Sequence, residues 1–162
     1  SALEVDYVNV HALGGSDMIK RAKEGLQTSS QGTKEPKLLA VTILTSFDDQ
    51  MLQRDLTLEG TVEDQVIHFA KLAYGSGADG VVCSVHESEK IKRVTSQSFE
   101  TVTPGIRLTD DQSDDQKRIA TPSFAKSQKV DKIVIGRSIT KAENPKLAYN
   151  LALKEWKYGS TN

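Results

Sequence analysis

Residues 38–45 read Leu-Leu-Ala-Val-Thr-Ile-Leu-Thr, a short and almost continuously apolar run that decides the fold class. Four similar runs occur along the chain, and each run opens near an Asp or a Lys: Val5 to His11 (VDYVNVH), Gly80 to Val85 (GVVCSV), Thr101 to Ile106 (TVTPGI) and Lys132 to Gly136 (KIVIG). Runs of this kind are typical of parallel strands whose two faces are both covered. The sequence therefore predicts an α/β protein with five parallel strands.

Helical patterns separate the predicted strands. The clearest helix follows Thr61, which forms the pattern of a capping box with Asp64, and it ends at Gly75. Ser16 is expected to cap a helix that runs to about Leu26. Three further helices are predicted from about Glu87 to Val94, from Pro122 to about Gln128, and from about Asn144 to Tyr158.

Composition excludes several classes of protein. The 162 residues suit one domain, and a single cysteine, Cys83, cannot form an intrachain disulfide, which favours a reducing, cytoplasmic compartment. The apolar runs are too short to cross a membrane. With 21 Lys and Arg scattered among 22 Asp and Glu, binding to nucleic acid or to an anionic membrane is not expected.

The alternation of strands and helices fits either an open doubly wound sheet or a (β/α) barrel. The turn after the first predicted strand, residues 11–15 (HALGG), lacks the G-x-G-x-x-G pattern of a dinucleotide site. Polar residues instead follow the ends of several strands: His11, Thr45 and Ser46, His86 and Glu87, Arg107, and Arg137. Because the corresponding rim of a barrel carries the active site, a barrel is favoured.

Two strand ends are candidates for ligand binding. Gly136 and Arg137 could hold a phosphate, since glycine lets an anion approach the backbone and a guanidinium matches phosphate oxygens; an ordinary surface arginine is the alternative. Pro104 and Gly105 could wall a flat ring, or they could simply form a tight turn. Both alternatives stay open at these positions.

The segment from Leu108 to Ile119 (LTDDQSDDQKRI) is long and polar enough to be a lid, from which Gln116 could donate to a ligand. Its four aspartates are more simply interpreted as solvated than as a metal site. His68 is expected to be structural, whereas His11 and His86 either line a pocket or are hydrogen-bonded in the core. Cys83 is interpreted as a small buried hydrophobe.

Taken in order, the motifs resemble the C-terminal part of bacterial-type orotidine 5′-phosphate decarboxylases. The resemblance spans essentially the whole chain and rests on VNVHA (8–12) with Gly14 and Gly15, AVT (40–42) through LTS (44–46), GVVCS (80–84), VTPGIR (102–107), Gln116 with ATP (120–122), and IVIGRSIT (133–140).

The resemblance implies a homodimeric (β/α)8 TIM barrel that converts orotidine 5′-monophosphate to UMP and CO2 without metal or organic cofactor. It further implies that Gly136 and Arg137 hold the 5′-phosphate and that Gln116 grips phosphate and base. Thr45 would contact the nucleotide, Arg107 would belong to the substrate site, and Pro104 would line the pyrimidine pocket.

One part of the family pattern has no counterpart. The family's first three strands carry an Asp, a Lys and an Asp-x-Lys motif that supplies the catalytic lysine and its aspartates, and the five strands here resemble the fourth to eighth. Residues 1–162 are therefore expected to be the C-terminal portion of one barrel, without strands one to three and with a cut start at Ser1. At roughly 31 residues per unit, this length corresponds to about five units. The isolated chain is then expected to be inactive; the alternatives are another phosphate-binding barrel lyase or epimerase, or a non-catalytic barrel fragment.

Overall fold

The computed structural model describes residues 4–30, 34–108 and 118–159. Five parallel strands form one sheet whose spatial order is their order in the chain: β1 Tyr7–His11, β2 Lys37–Val41, β3 Gly80–Val82, β4 Glu100–Thr103 and β5 Lys132–Ile133. Consecutive strands that pair in chain order, with helices between them, are how the units of a (β/α) barrel follow one another. The prediction of five consecutive βα units is confirmed.

Helices separate all the strands. In the described ranges they are α1 Gly15–Ser29, α2 Asp49–Leu56, α3 Val62–Gly75, α4 Val85–Val94, α5 Pro122–Ser127, α6 Arg137–Thr140 and α7 Pro145–Tyr158, with a short 3-10 turn at Ala12–Gly14. None of these helices is long and apolar enough to cross a membrane.

The capping predictions had mixed outcomes. The capping box of α3 is present, because Asp64 N donates to Thr61 Oγ1 and Thr61 N donates to Asp64 Oδ2, both at 3.1 Å. The prediction that Ser16 caps α1 is wrong. The helix already begins at Gly15, and its N-cap residue Gly14 makes no side-chain cap.

Several predicted strands end earlier than expected. The third strand stops at Val82, because Ser84 and Glu87 form a capping box that starts α4 at Val85. The fourth strand stops at Thr103, so Pro104 lies just after the strand and removes no hydrogen bond from its ladder.

The core lies between the sheet and its helices. Alternate strand residues such as Leu38, Ala40 and Val81 are buried against α1 and α3. Cys83 belongs to the same cluster, and burial raises the pKa of its thiol well above the usual value. Its interpretation as a small buried hydrophobe is confirmed.

The acidic residues that precede two strands have a structural role. Asp79, just before β3, accepts the N–H of Leu38 at 2.7 Å and the ammonium group of Lys23 at 2.8 Å. Asp131, just before β5, accepts the N–H of Thr101 at 2.7 Å and also pairs with a lysine, Lys92, at 2.7 Å. Each carboxylate thus ties the start of one strand to the start of the preceding strand.

Candidate functional site

The carboxyl ends of the five parallel strands lie at one edge of the sheet, and the described candidate residues follow those ends. Thr45 follows β2, Pro104 and Arg107 follow β4, and Gly136 and Arg137 follow β5. This arrangement agrees with the sequence prediction that they share a rim. In parallel α/β sheets this edge is where ligands bind.

Thr45 is buried at 6% exposure, four residues beyond the end of β2. Its carbonyl oxygen accepts the backbone N–H of Arg118 at 3.3 Å. A residue near the end of the polar segment therefore pairs with the chain that follows the second strand. This contact holds the backbone at Thr45 in place.

The continuation of β4 pairs with the same incoming segment. Arg107 N donates to the carbonyl of Ala120 at 2.9 Å, and Ala120 N donates to the carbonyl of Gly105 at 3.1 Å. Gly105 has a φ of +78°, a conformation that favours glycine, and it turns the chain directly after Pro104. Pro104 itself is half-buried.

Arg107 is a buried cation. Its side chain is almost fully enclosed, and Nη1 donates to the carbonyl of Ile106 at 3.2 Å. A guanidinium with five donors can serve a ligand while one of its nitrogens holds the backbone.

Gly136 and Arg137 form the transition from β5 to α6. A Cβ at Gly136 would meet no atom within 4 Å, and Gly136 is exposed, so an anion could approach its backbone. Arg137 is half-buried and begins the four-residue helix α6. An exposed backbone beside a guanidinium suits a phosphate group.

Arg118 is a residue of this edge that the sequence did not single out. Its guanidinium pairs with the Glu87 carboxylate and donates to the carbonyls of Ile43 at 3.3 Å and Leu44 at 3.2 Å. The residue lies in the polar stretch interpreted as a lid, and its partners are dozens of residues away. The only available signal was a cation next to Ile119, the last residue of that stretch.

The histidines are all exposed. His11 ends β1 and His86 lies in the first turn of α4, where its ring is 5.6 Å from that of Phe124. The alternative of a buried core histidine is therefore wrong for both. His68 is exposed on α3 and makes an edge contact with Phe69, with 5.4 Å between the ring centroids.

Gln116 and the four aspartates of the predicted lid lie outside the described residues. Within residues 4–30, 34–108 and 118–159, no group of three or more His, Cys, Asp or Glu side chains could hold a metal ion. Among the described residues, the carboxyl edge of the sheet carries guanidinium groups and backbone N–H groups. Groups of this kind are suited to an anionic ligand.

Comparison with known proteins finds close relatives of this chain. Orotidine 5′-phosphate decarboxylase from Bacillus pumilus is 53% identical over 157 residues, a match that covers 96% of this chain and 67% of the relative. The corresponding protein from Bacillus licheniformis is also 53% identical, over 94% of this chain and 64% of the relative. The chain thus spans about two thirds of the length of these relatives.

A solved structure of a protein with the same name also matches this chain. The crystal structure of orotidine 5′-phosphate decarboxylase from Lactobacillus acidophilus superimposes with a TM-score of 0.80 at 44% identity, over 95% of this chain and 64% of that one. A model described as the orotidine 5′-phosphate decarboxylase / HUMPS family matches residues 1–152. With the motifs of all five strand ends inside that match, the chain belongs to the orotidine 5′-phosphate decarboxylase / HUMPS family.

Proposed function

We propose that this chain is part of an orotidine 5′-phosphate decarboxylase, a carboxy-lyase of pyrimidine synthesis that converts orotidine 5′-monophosphate to UMP and CO2. The observation that carries the proposal is the 53% identity, over 96% of the chain, to a protein of that name. The rim supports it independently, since Gly136 and Arg137 suit the phosphate of a nucleotide.

Each rim residue has a proposed role. Arg137 and the backbone of Gly136 bind the 5′-phosphate, Thr45 contacts the nucleotide, Pro104 lines the pyrimidine pocket, and Arg107 belongs to the substrate site. Gln116 grips phosphate and base from the lid. In this family, binding energy from the distant phosphate assembles the site around the pyrimidine, so these contacts serve the chemical step as well as affinity.

The five units correspond in this proposal to strands four to eight of an eight-stranded barrel, and the chain is its C-terminal portion. Coverage of 64% of the Lactobacillus acidophilus enzyme is close to five eighths, which supports the number of units, whereas their assignment to strands four to eight rests on the family resemblance. The lysine that protonates C6 after CO2 departs would then lie on the third barrel strand, outside this chain. The term "complete enzyme" below means this chain together with those three preceding units.

The family resemblance also supports three proposals about the complete enzyme as a whole. The complete enzyme is a homodimer, it is cytoplasmic, and it uses neither metal nor organic cofactor. A related lyase or epimerase that acts on another phosphorylated substrate is the second candidate, because the matching family model is not restricted to decarboxylases.

Substitution of Arg137 tests the phosphate site. In the complete enzyme, Arg137→Ala should lower kcat/KM for orotidine 5′-monophosphate about 10- to 100-fold, the value expected for lost hydrogen bonds to a charged group. The same variant should match wild type on orotidine, which lacks the phosphate. Equal kcat/KM for both proteins on the phosphorylated substrate would contradict the role of Arg137. A folded complete enzyme that releases no CO2 would contradict the activity, and assays with sugar phosphates would then test the second candidate.

A further inference from the structure

Arg118 joins the chain that follows β2 to the start of α4 at the carboxyl edge of the sheet. Its backbone N–H donates to Thr45, its Nη2 donates to the carbonyls of Ile43 and Leu44, and its Nη1 pairs with Glu87. The side chain is only 16% exposed. The guanidinium therefore faces the protein, and together with the backbone N–H of Arg118 it holds three consecutive residues that follow β2.

Glu87 is fixed from its other side. Its Oε2 accepts the backbone N–H of Ser84 at 3.0 Å and the Ser84 hydroxyl at 2.6 Å, and the residue is 3% exposed. One buried carboxylate thus caps α4 and holds Arg118. Because charge-assisted hydrogen bonds are stronger than neutral ones, the end of β2 is tied firmly to the start of α4.

The segment that carries Arg118 also binds the end of β4. Ile106 and Ala120 form a parallel bridge, flanked by the hydrogen bonds from Arg107 N and Ala120 N. Residues 118–120 consequently link the strand ends that hold Thr45 and Arg107. A displacement of Arg118 would move both ends.

We infer that Arg118 is a positioning residue of the nucleotide site: it does not contact the substrate, and it sets the position of Thr45 relative to Arg107. This inference rests on the proposed function and deepens it. The geometry of guanidinium is needed, because Arg118 places two different nitrogens on its partners, Nη1 on Glu87 and Nη2 on the two carbonyls, whereas a lysine would bring only one nitrogen.

The opposite edge of the sheet offers a matched control. Lys92 is also a buried cation, with a side chain that is 3% exposed. It contacts one carboxylate and two carbonyls, those of Asp131 at 2.7 Å, Gln97 at 3.2 Å and Phe99 at 3.1 Å. Both Lys92→Met and Arg118→Met should destabilise the fold, but Lys92 lies far from the rim.

The experiment compares steady-state kinetics and thermal unfolding in the complete enzyme. Arg118→Met should lower kcat/KM for orotidine 5′-monophosphate by about tenfold or more per folded enzyme, whereas Lys92→Met should stay within about twofold of wild type. Arg118→Lys should recover most of the Tm, because it keeps the charge beside Glu87, but kcat/KM should remain low. Combining Arg118→Met with Thr45→Ala should cost less than the product of the single losses, since Arg118 acts through Thr45.

Three outcomes would overturn the inference while the wild-type enzyme is active. In the first, Arg118→Met and Lys92→Met lower kcat/KM equally. In the second, Arg118→Lys recovers the full kcat/KM. In the third, the losses caused by Arg118→Met and Thr45→Ala multiply independently. If Arg118→Met does not fold, Arg118→Lys decides alone. A folded wild-type enzyme without decarboxylase activity would instead overturn the proposed function, and the inference with it.

Discussion

Glu100 shows how one residue can depend on several neighbours. It begins β4, where its carboxylate accepts the Tyr7 hydroxyl at 2.8 Å and pairs with Lys37. Burial alone would raise the pKa of Glu100, but the hydrogen bonds from Lys37 and Tyr7 outweigh burial and lower the pKa below its usual 4.5. The folded state therefore favours the ionised carboxylate.

This shift predicts a loss of stability in acid. A carboxylate whose pKa is lowered by folding stabilises the protein above its unfolded pKa, and that contribution disappears as the pH falls through the folded pKa. Glu100→Gln should reduce the free energy of unfolding at pH 7 by about 1–3 kcal/mol. Below about pH 4.5, the free energy of unfolding should fall less steeply in the variant than in wild type. Denaturant titrations between pH 7 and pH 3 measure both effects. If the free energy of unfolding falls equally with acid in wild type and variant, Glu100 does not contribute to the acid sensitivity. The control at pH 7 is Glu63→Gln, which removes the exposed ion pair with Lys90.

At this scale, residues with local signals could be predicted and residues with distant partners could not. Arg137 follows a strand and a glycine, so its sequence neighbours alone suggested an anion site. Arg118 depends on the carbonyls of Ile43 and Leu44, which are 75 and 74 residues away in the chain. No periodicity or spacing in the sequence encodes that contact.

At the scale of elements, β3 and β4 approach unusually closely at Gly80. A Cβ at this position would lie 2.4 Å from the carbonyl oxygen of Glu100 and 2.9 Å from its Cβ. The two residues are register partners in the parallel ladder, so β4 could not avoid the contact without moving away. The glycine is required by close approach, since its φ is not positive.

Two glycine substitutions should therefore have opposite effects. Gly80→Ala should destabilise the protein by about 1–3 kcal/mol, because the added methyl group forces β4 to shift. Gly25→Ala, at an exposed position inside α1 where a Cβ meets no atom within 4 Å, should stabilise it by about 0.5–1 kcal/mol. Chemical denaturation of both variants compares them directly. Equal midpoints would contradict the packing argument.

The five strands were predictable because each is an apolar run of the right length, but two helices were missed. Helix α2 is short and largely exposed, and its main local signal is the N-cap Asp48, which accepts the N–H of Met51 at 2.8 Å. Helix α6 has only four residues, fewer than a periodic pattern needs. The third strand was predicted to be longer than it is, because the residues after β3 form the N-terminal cap of α4.

At the scale of the whole molecule, an apolar groove beside β5 marks one side of the sheet. Its volume is about 490 Å³, and residues of β5 and α7 line it, among them Ile133, Tyr149 and Trp156. Tyr149 and Val134 are about half exposed. In the complete barrel proposed above, the preceding units would lie against this side.

The division of residues between this chain and those units predicts an inactive fragment. The purified 162-residue chain should release no measurable CO2 from orotidine 5′-monophosphate, because it would supply the phosphate site without the proton donor. The complete enzyme is the positive control, and mass spectrometry confirms the length of the protein that is assayed. Turnover by material of the fragment's mass would mean that a residue of this chain donates the proton.

Asp6 stands before β1 as Asp79 stands before β3 and Asp131 before β5. Its carbonyl accepts the N–H of Lys37 at 2.9 Å, just as the carbonyl of Asp79 accepts that of Glu100 at 3.0 Å. The side chains differ, because Asp6 lies at the edge of the described sheet and pairs with the exposed Lys34 at 2.6 Å. In a complete barrel, a preceding strand would offer Asp6 the N–H that β2 and β4 offer the other two aspartates.

Asp6→Ala should therefore lower the Tm of the complete enzyme, as Asp79→Ala should, while changing the Tm of the isolated chain very little. Differential scanning fluorimetry of both variants in both proteins gives the comparison. Equal shifts for Asp6→Ala in the two proteins would contradict the analogy with Asp79. If the shifts differ as expected, the change in Tm caused by Asp6→Ala distinguishes a closed barrel from an open one, and no label is needed.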